Sequence, residues 1–114
     1  MNIRRGEIYL AALDPTLGRK IAKTRPVVIV SNDKNNELSG TVTILPLTSK
    51  NLRTIYPFEV LLSRGSGNLP KDSKVKADQI RTLDKSRIIK NIGALGKKDL
   101  DAIEKAMKIH LALP

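Results

Sequence analysis

The stretch KTRPVVIVSND, residues 23–33, decides the fold of this chain. At its centre, residues 27–30 are four β-branched apolar residues, a run typical of a strand that is buried on both faces. Pro26 can open such a strand, because its missing N–H need not join a ladder. Arg25 therefore directly precedes the most buried strand, a position at which packing does not explain a charged side chain.

Outward from this stretch, the sequence predicts a mainly β chain that ends in one helix. Residues 33–40 are predicted to form a turn, and residues 16–24 and 48–54 to form basic loops. In residues 97–113 apolar side chains recur at helical spacing, which predicts an amphipathic helix. Further short strands are predicted at residues 6–13, 41–47, 56–62, 74–80 and 87–95. Together these elements predict a single domain, residues 1–114, built as a small closed β-structure with one C-terminal helix.

The charge of the chain indicates its class of partner. Lys and Arg number 21 against 11 Asp and Glu, a net charge of +10. An excess of this size favours a polyanion, above all nucleic acid, over the alternative of a generally solvated basic surface. Aromatic residues make up 3% of the chain, so we expect contacts that depend more on charge and hydrogen bonds than on stacking.

Composition also bears on the compartment. The chain has no cysteine, which fits a reducing cytoplasm. It has no apolar run near the roughly 20 residues that a membrane helix needs, and its first residues lack the pattern of a signal peptide. We therefore expect a cytoplasmic protein without a membrane partner.

The sequence lacks the residues that most classes of enzyme use for catalysis. His110 is the sole histidine and lies near the apolar seam of the predicted helix, where packing or solvent exposure explains it. With one histidine, no cysteine and no compact carboxylate cluster, we expect neither a metal site nor a cofactor. The glycine-rich motifs that hold nucleotide phosphates are missing as well.

The remaining candidates are Arg25 and a set of polar side chains at strand ends. Taken singly, such side chains commonly satisfy nearby backbone groups. Taken together, they are predicted to line one concave basic face, on which an arginine fork is well suited to bind a phosphate. The polar candidates are Ser31, Asn32, Thr48, Ser49, Ser73 and Gln79.

The whole chain resembles the MazF/PemK family of toxin endoribonucleases from bacterial toxin–antitoxin pairs. No single stretch is specific, but the ordered set covers nearly all of the chain. The matching stretches are RGEIYLAALDPTLG, KTRPVVIVSND, SGTVTILPLTS, YPFEVLL, DSKVKADQIRTLDKSRI and the terminal IHLAL. The resemblance implies a small SH3-like β-barrel of the CcdB/PemK type, a homodimer, and metal-independent cleavage of single-stranded RNA at short sequences. It also implies an acidic antitoxin as partner.

The resemblance implies a role for each candidate. Arg25 is the catalytic residue and Thr48 its partner at the scissile phosphate. The remaining polar candidates, and Lys23 of the basic loop, match the RNA-binding positions, namely Lys23, Ser31, Asn32, Ser49, Ser73 and Gln79. Cleavage by the substrate's own 2′-OH would leave a 2′,3′-cyclic phosphate and a 5′-OH end.

Two departures from the family pattern concern charge. Lys20 occupies a position where many relatives carry an acid, so no carboxylate base comes from that position. Lys74 and Lys76 occupy strand positions that are often apolar, which predicts a change in base preference. Asp78 either orients a base or pairs with a lysine.

Two other functions remain open on the sequence. One is a gyrase-poisoning toxin of the CcdB type, although those toxins use an aromatic-containing C-terminal tail and this chain ends IHLALP. The other is a basic barrel that binds RNA without cutting it.

Overall fold

The computed structural model describes residues 2–13 and 24–114. In these residues seven strands and two helices follow one another along the chain. They are β1 (Glu7–Ala12), β2 (Thr24–Ile29), α1 (Asp33–Leu38), β3 (Thr41–Thr48), β4 (Glu59–Leu62), β5 (Ser73–Lys76), β6 (Arg81–Asp84), β7 (Ile88–Ala94) and α2 (Lys97–Leu111). The predicted class, mainly β with a C-terminal helix, is confirmed.

The strands form one curled antiparallel sheet in the order β4-β5-β3-β2-β1-β7. Strand β3 is long enough to hold two partners on one edge, with its first half paired to β6 and its last two residues paired to β5. A 3₁₀ turn at Ala77–Gln79 joins these two partners. Strand β3 therefore connects both halves of the sheet.

The buried run of β2 separates two apolar cores, as the sequence predicted. Val28 and Val30 face one core, which Ile103 and Ala106 of α2 cover. Val27 and Ile29 face the other core, between β1, β3 and β6. Because side chains alternate along a strand, four consecutive apolar residues serve both cores at once.

The sheet curls until the loop after β4 contacts β7 at its other end. A Cβ atom on Gly93 of β7 would lie 2.3 Å from the carbonyl oxygen of Gly67, so the two backbones touch. Asn68 adds a hydrogen bond from its side-chain amide to the carbonyl oxygen of Ile92, at 3.2 Å. Among the described residues no backbone ladder joins β4 to β7, so this loop closes the curl.

Two helical details differ from or extend the sequence prediction. Residues 33–40, predicted as a turn, contain the short helix α1, because Asn32 caps it by accepting the N–H of Asn35 at 2.8 Å. The C-terminal helix begins after Gly96 and packs against Gly6, where a Cβ atom would lie 2.7 Å from Leu100. In the part of the chain that the structure describes, neither helix is long and apolar enough to cross a membrane.

The predicted strands also differ in extent. The strand predicted for residues 56–62 begins three residues later, since the N–H of Glu59 bonds the carbonyl of Tyr56 in a turn at 2.8 Å. The strand predicted for residues 74–80 stops at Lys76, and β6, which was not predicted, follows the 3₁₀ turn.

Candidate active site

Arg25 and Thr48 lie at the open end of the β2–β3 ladder. The register pairs Val27 with Pro46, and two further residues along the same register place Arg25 opposite Thr48. The β2–β3 ladder ends at Val27, because the preceding residue, Pro26, has no N–H to donate. Arg25 is half-buried and also pairs with Ala11 of β1, so its backbone is held by the neighbouring strand. The structure thus places the two predicted catalytic residues at the same end of this ladder.

Ser49 and Ser73 lie beside Thr48. Thr48 pairs with Lys74 of β5, so the next residues in that register, Ser49 and Ser73, are also opposite each other. Both serines line a cavity of about 300 Å³ that Leu10, Pro26 and Leu47 make largely apolar. The buried Ser73 hydroxyl donates to the carbonyl of Lys71 at 3.0 Å, so part of its role is to shape the loop before β5.

Ser31 and Asn32 lie at the opposite end of the same strand. Arg25 precedes the buried run and Ser31 follows it, six residues or roughly 20 Å away in an extended chain. Ser31 accepts the N–H of Thr43 at 3.0 Å and donates to Asn36, and Asn32 caps α1. Arg25 and these two residues therefore lie at opposite ends of the buried run. Their predicted contact with RNA stays a prediction.

Of the other predicted residues, the structure describes Gln79, which lies between the two strands that pair with β3. Gln79 is exposed in the 3₁₀ turn between β5 and β6, and the carboxylate of neighbouring Asp78 lies 3.8 Å from the ammonium of Lys76. Of the two alternatives for Asp78, the structure thus contains the pairing with a lysine. Lys23 and Lys20 lie outside the described residues.

A buried ion network on β4 and β5 was missed at the sequence level. Glu59 accepts hydrogen bonds from Lys74 at 3.2 Å and from Lys76 at 2.7 Å, and its side chain is 1% exposed. The Lys74 side chain is 5% exposed and lies directly across the ladder from Thr48. The spacing of Lys74 and Lys76 in the sequence could have indicated this network. Lysines two residues apart in a strand share a face, and they require an acid as partner when they are buried.

The pKa of Glu59 reflects this network. Burial raises the pKa of its carboxyl, but hydrogen bonds from Lys76, from the backbone N–H of Tyr56 and from Lys74 together outweigh burial. The net result is a pKa below the ordinary value, so Glu59 is charged at neutral pH. The network is therefore a set of fixed charges beside Thr48.

A second cavity, of about 480 Å³, opens over this network. Its walls combine the loop between β3 and β4 with the ionic residues of β4 and β5, namely Asn51, Arg53, Thr54, Tyr56, Glu59, Lys74 and Lys76. A guanidinium, two ammonium groups and an amide thus surround a polar opening next to Thr48. Such an arrangement suits a ligand that carries phosphate and hydrogen-bonding groups.

The comparisons to known proteins agree with the fold. Residues 4–111 match the family of PemK-like, MazF-like toxins of type II toxin–antitoxin systems. The chain is 40% identical to the endoribonuclease MazF9 of Mycobacterium tuberculosis, over 97% of this chain and 98% of that protein. It is 37% identical to the endoribonuclease MazF of Staphylococcus saprophyticus, over 97% and 92%. The chain therefore belongs to the PemK-like, MazF-like toxin family.

Solved structures share the fold over the same extent. A mycobacterial endoribonuclease in complex with its cognate antitoxin superposes with a TM-score of 0.79 at 28% identity, covering 98% of this chain and 97% of that one. The MazE–MazF complex of Deinococcus radiodurans superposes with a TM-score of 0.83 at 24% identity, covering 100% and 99%, and supports the fold alone.

Proposed function

We propose that this toxin is an endoribonuclease that cuts single-stranded RNA, foremost mRNA, at specific sequences without a metal ion. The observation that carries the proposal is that Arg25 and Thr48 lie at the same open end of the β2–β3 ladder, each two residues beyond its last pair, Val27 and Pro46. Family membership and the names of the relatives, both endoribonucleases, support the reaction class.

The proposed reaction is a transesterification within the RNA. The substrate's 2′-oxygen forms a bond to phosphorus, the bond from phosphorus to the 5′-oxygen breaks, and the products are a 2′,3′-cyclic phosphate and a 5′-OH end. The 2′-OH loses a proton, and the leaving 5′-oxygen gains one. The protein must hold the phosphate in line and stabilise the additional negative charge of the transition state.

Arg25 is suited to stabilise that charge. A guanidinium presents parallel N–H groups to two phosphate oxygens and stays protonated in proteins, so it serves as an electrostatic stabiliser or proton donor rather than as a base. The Thr48 hydroxyl adds one neutral hydrogen bond, and it already accepts the N–H of Lys50 at 3.2 Å, which orients it. Lys20 offers no carboxylate, so the mechanism proposed here does not depend on an acid at that position.

RNA contacts on either side of the cut follow from the same geometry. Ser49 and Ser73 adjoin Thr48, and Gln79 lies farther along the β3 edge, where it would meet the strand of RNA away from the cut. Ser31 and Asn32 would meet a strand of RNA that continues to the α1 end of the sheet. Lys23 adds positive charge beside Arg25 in sequence.

The proposed partners are a cytoplasmic antitoxin and a second copy of the chain. A net charge of +10 favours an acidic antitoxin segment that competes with RNA for the basic face. Solved relatives include complexes with an antitoxin, which supports this partner. Localisation in the cytoplasm follows from the proposed substrate, mRNA.

The test is digestion of a long RNA in EDTA by the purified protein and its variants. Wild type should give discrete fragments with 5′-OH ends. Arg25→Ala should abolish cleavage, and Arg25→Lys should lose more than roughly 100-fold, because an ammonium cannot reproduce the two-pronged contact. Thr48→Ala should lose roughly 10- to 1,000-fold, the scale of one oxyanion-type donor.

Arg64→Lys is the matched control, since Arg64 is exposed in the loop after β4. It should cut like wild type, and the cognate antitoxin should stop the cleavage. Near-normal turnover by Arg25→Lys would show that charge alone suffices. Intact RNA in every digest would favour a gyrase-directed toxin or a barrel that binds RNA without cutting it.

A further inference from the structure

The loop between β3 and β4 is fixed from beneath by two buried charges. The Lys74 ammonium donates to the carbonyl oxygens of Asn51 and Thr54, each at 3.0 Å. Glu59 accepts the backbone N–H of Tyr56 at 3.0 Å. Three backbone groups between residues 51 and 56 are therefore held by an ion pair that is itself shielded from water. This wall of the 480 Å³ cavity has its shape before a ligand arrives.

The cavity adjoins the proposed point of cleavage. Lys74, on its floor, is the direct ladder partner of Thr48, and neighbouring strands lie about 4.8 Å apart. A phosphate held by Arg25 and Thr48 would thus place the adjoining nucleotide over this opening.

The groups that remain available in the cavity are mainly donors. Both carboxylate oxygens of Glu59 are engaged by Lys74, Lys76 and the Tyr56 N–H. Lys76 is 20% exposed and has Glu59 at 2.7 Å and Asp78 at 3.8 Å, which leaves one of its three N–H groups for a ligand. Arg53 lines the same cavity and is exposed. Guanine offers O6 and N7 as acceptors and uracil offers O4, whereas cytosine presents an amino group on this edge and adenine presents an amino group beside N7, where it opposes a second donor.

An aromatic surface completes the cavity. The ring of Tyr56 stacks on that of Phe58, with centroids 5.3 Å apart and planes inclined by 8°. Tyr56 is 52% exposed and lines the cavity. The chain has three aromatic residues in all, and two of them are placed here. An exposed ring next to donors is the usual way to hold a single unpaired base.

We propose that this cavity binds the nucleobase next to the cleaved phosphate and selects uracil or guanine over adenine and cytosine. Tyr56 stacks on the base, Lys76 and Arg53 donate to its carbonyl edge, and the Glu59–Lys74 pair holds the loop in place. This inference rests on the proposed function and assigns one position of its sequence specificity.

The experiment maps the 5′-OH ends produced from a long RNA in EDTA. It compares wild type with Lys76→Met, Arg53→Gln and Tyr56→Leu, and uses Lys98→Met on the exposed face of α2 as control. Wild-type sites should share uracil or guanine at one position beside the cut. Lys76→Met and Arg53→Gln should each lower that preference by roughly 5- to 150-fold and leave the other positions unchanged, since one contact to the base edge is removed. Tyr56→Leu should slow cutting at all sites, because an aromatic ring stacks on every base. Lys98→Met should keep the wild-type profile.

Adenine or cytosine at both positions beside the cut would overturn the inference, as would an unchanged base preference in both Lys76→Met and Arg53→Gln. Because Arg53 is exposed, Arg53→Gln still tests the inference if Lys76→Met does not fold. If Tyr56→Leu changed sedimentation but not the rate of cutting, the ring would belong to a protein contact and the stacking role would be overturned. Wild type that cuts no RNA would overturn the proposed function itself, whereas cutting with unchanged preferences overturns this inference alone.

Discussion

At the scale of single residues, Glu59 best shows how neighbours decide a side chain's role. In the sequence it is one acid in a strand-like stretch, and the only sign of its burial is indirect, in the spacing of Lys74 and Lys76. In the structure its carboxylate is 1% exposed and joins Lys74, Lys76 and a backbone N–H. Removing one member of such a network leaves the others buried without a partner, which costs more than the network contributes as a whole.

We predict that Glu59→Gln destabilises the fold in a pH-dependent manner. The pKa of Glu59 is lower in the folded state, so its carboxylate contributes stability above the unfolded pKa, and that contribution is lost as the pH falls through the folded pKa. At pH 7 the substitution should lower the free energy of unfolding by about 3 kcal/mol, the lower end for a broken buried ion pair. The difference from wild type should narrow below about pH 4.3, the ordinary value for glutamate.

Urea unfolding at pH 7 and at acidic pH measures both effects. Glu37→Gln, at an exposed position on α1, is the control and should follow wild type at every pH. A constant difference between Glu59→Gln and wild type across the pH range would show that the charge of Glu59 does not contribute.

At the scale of elements, contacts distant in sequence override local patterns. The predicted turn at residues 33–40 becomes α1 because Asn32 caps it and the buried Asn36 bonds the carbonyl of Ser31 at 2.9 Å. These same bonds engage the two residues that were predicted to meet RNA beside Arg25. The closure of the sheet likewise depends on the loop after β4. Its GSGN sequence predicts a loop, but it does not predict the contact of that loop with β7.

We predict that Gly93→Ala disturbs this closure. A Cβ atom there would meet the Gly67 carbonyl oxygen at 2.3 Å and its carbon at 2.6 Å, and a backbone cannot rotate away as a flexible side chain can. The free energy of unfolding should fall by about 1 to 3 kcal/mol, as in other overpacked sites. Chemical denaturation measures the loss.

Gly40→Ala is the control for that experiment, because a Cβ atom at Gly40 meets nothing within 4 Å. It should leave stability within about 0.5 kcal/mol of wild type, as is usual for surface changes. Equal stability of the Gly93 and Gly40 variants would mean that the loop after β4 does not close the sheet tightly.

At the scale of the whole molecule, an apolar patch remains exposed. Leu61 of β4 and Ile109 of α2 are 52% and 46% exposed and line one surface cavity with Pro57. Leu111, the last residue of the helix, and Leu113, which follows it, are exposed as well. Contiguous apolar surface of this kind favours a protein contact, and a symmetric dimer would cover it twice.

We predict that Ile109→Glu weakens self-association. Wild type should sediment at micromolar concentration with about twice the 12.6 kDa mass of one chain. A charge placed in the middle of the patch should shift the protein towards a monomer. Leu38→Glu on α1, where Leu38 is 72% exposed, is the control and should leave the mass unchanged. A wild-type monomer that cuts RNA at full rate would remove the dimer from the mechanism.

By itself the sequence determined the mainly β class, the doubly buried strand β2, the C-terminal helix and the family. Each of these follows from local periodicity or from the order of short stretches along the chain. Both can be read without knowing which distant residues are in contact. The catalytic pair was also named from the sequence, through family resemblance and the position of Arg25 at a strand opening, and it remains a prediction until the variants are measured.

The tertiary structure alone decided what meets across the strands. Strand register pairs Thr48 with Lys74, brings Glu59 to two lysines, and leaves Ser31 and Asn32 at the end of the buried run away from Arg25. In an antiparallel sheet a shift of one residue in register moves every side chain to the other face. Partners separated by 15 to 26 positions in the chain, such as Glu59 and Lys74 or Thr48 and Lys74, therefore become neighbours through the pairing of strands and not through any local pattern.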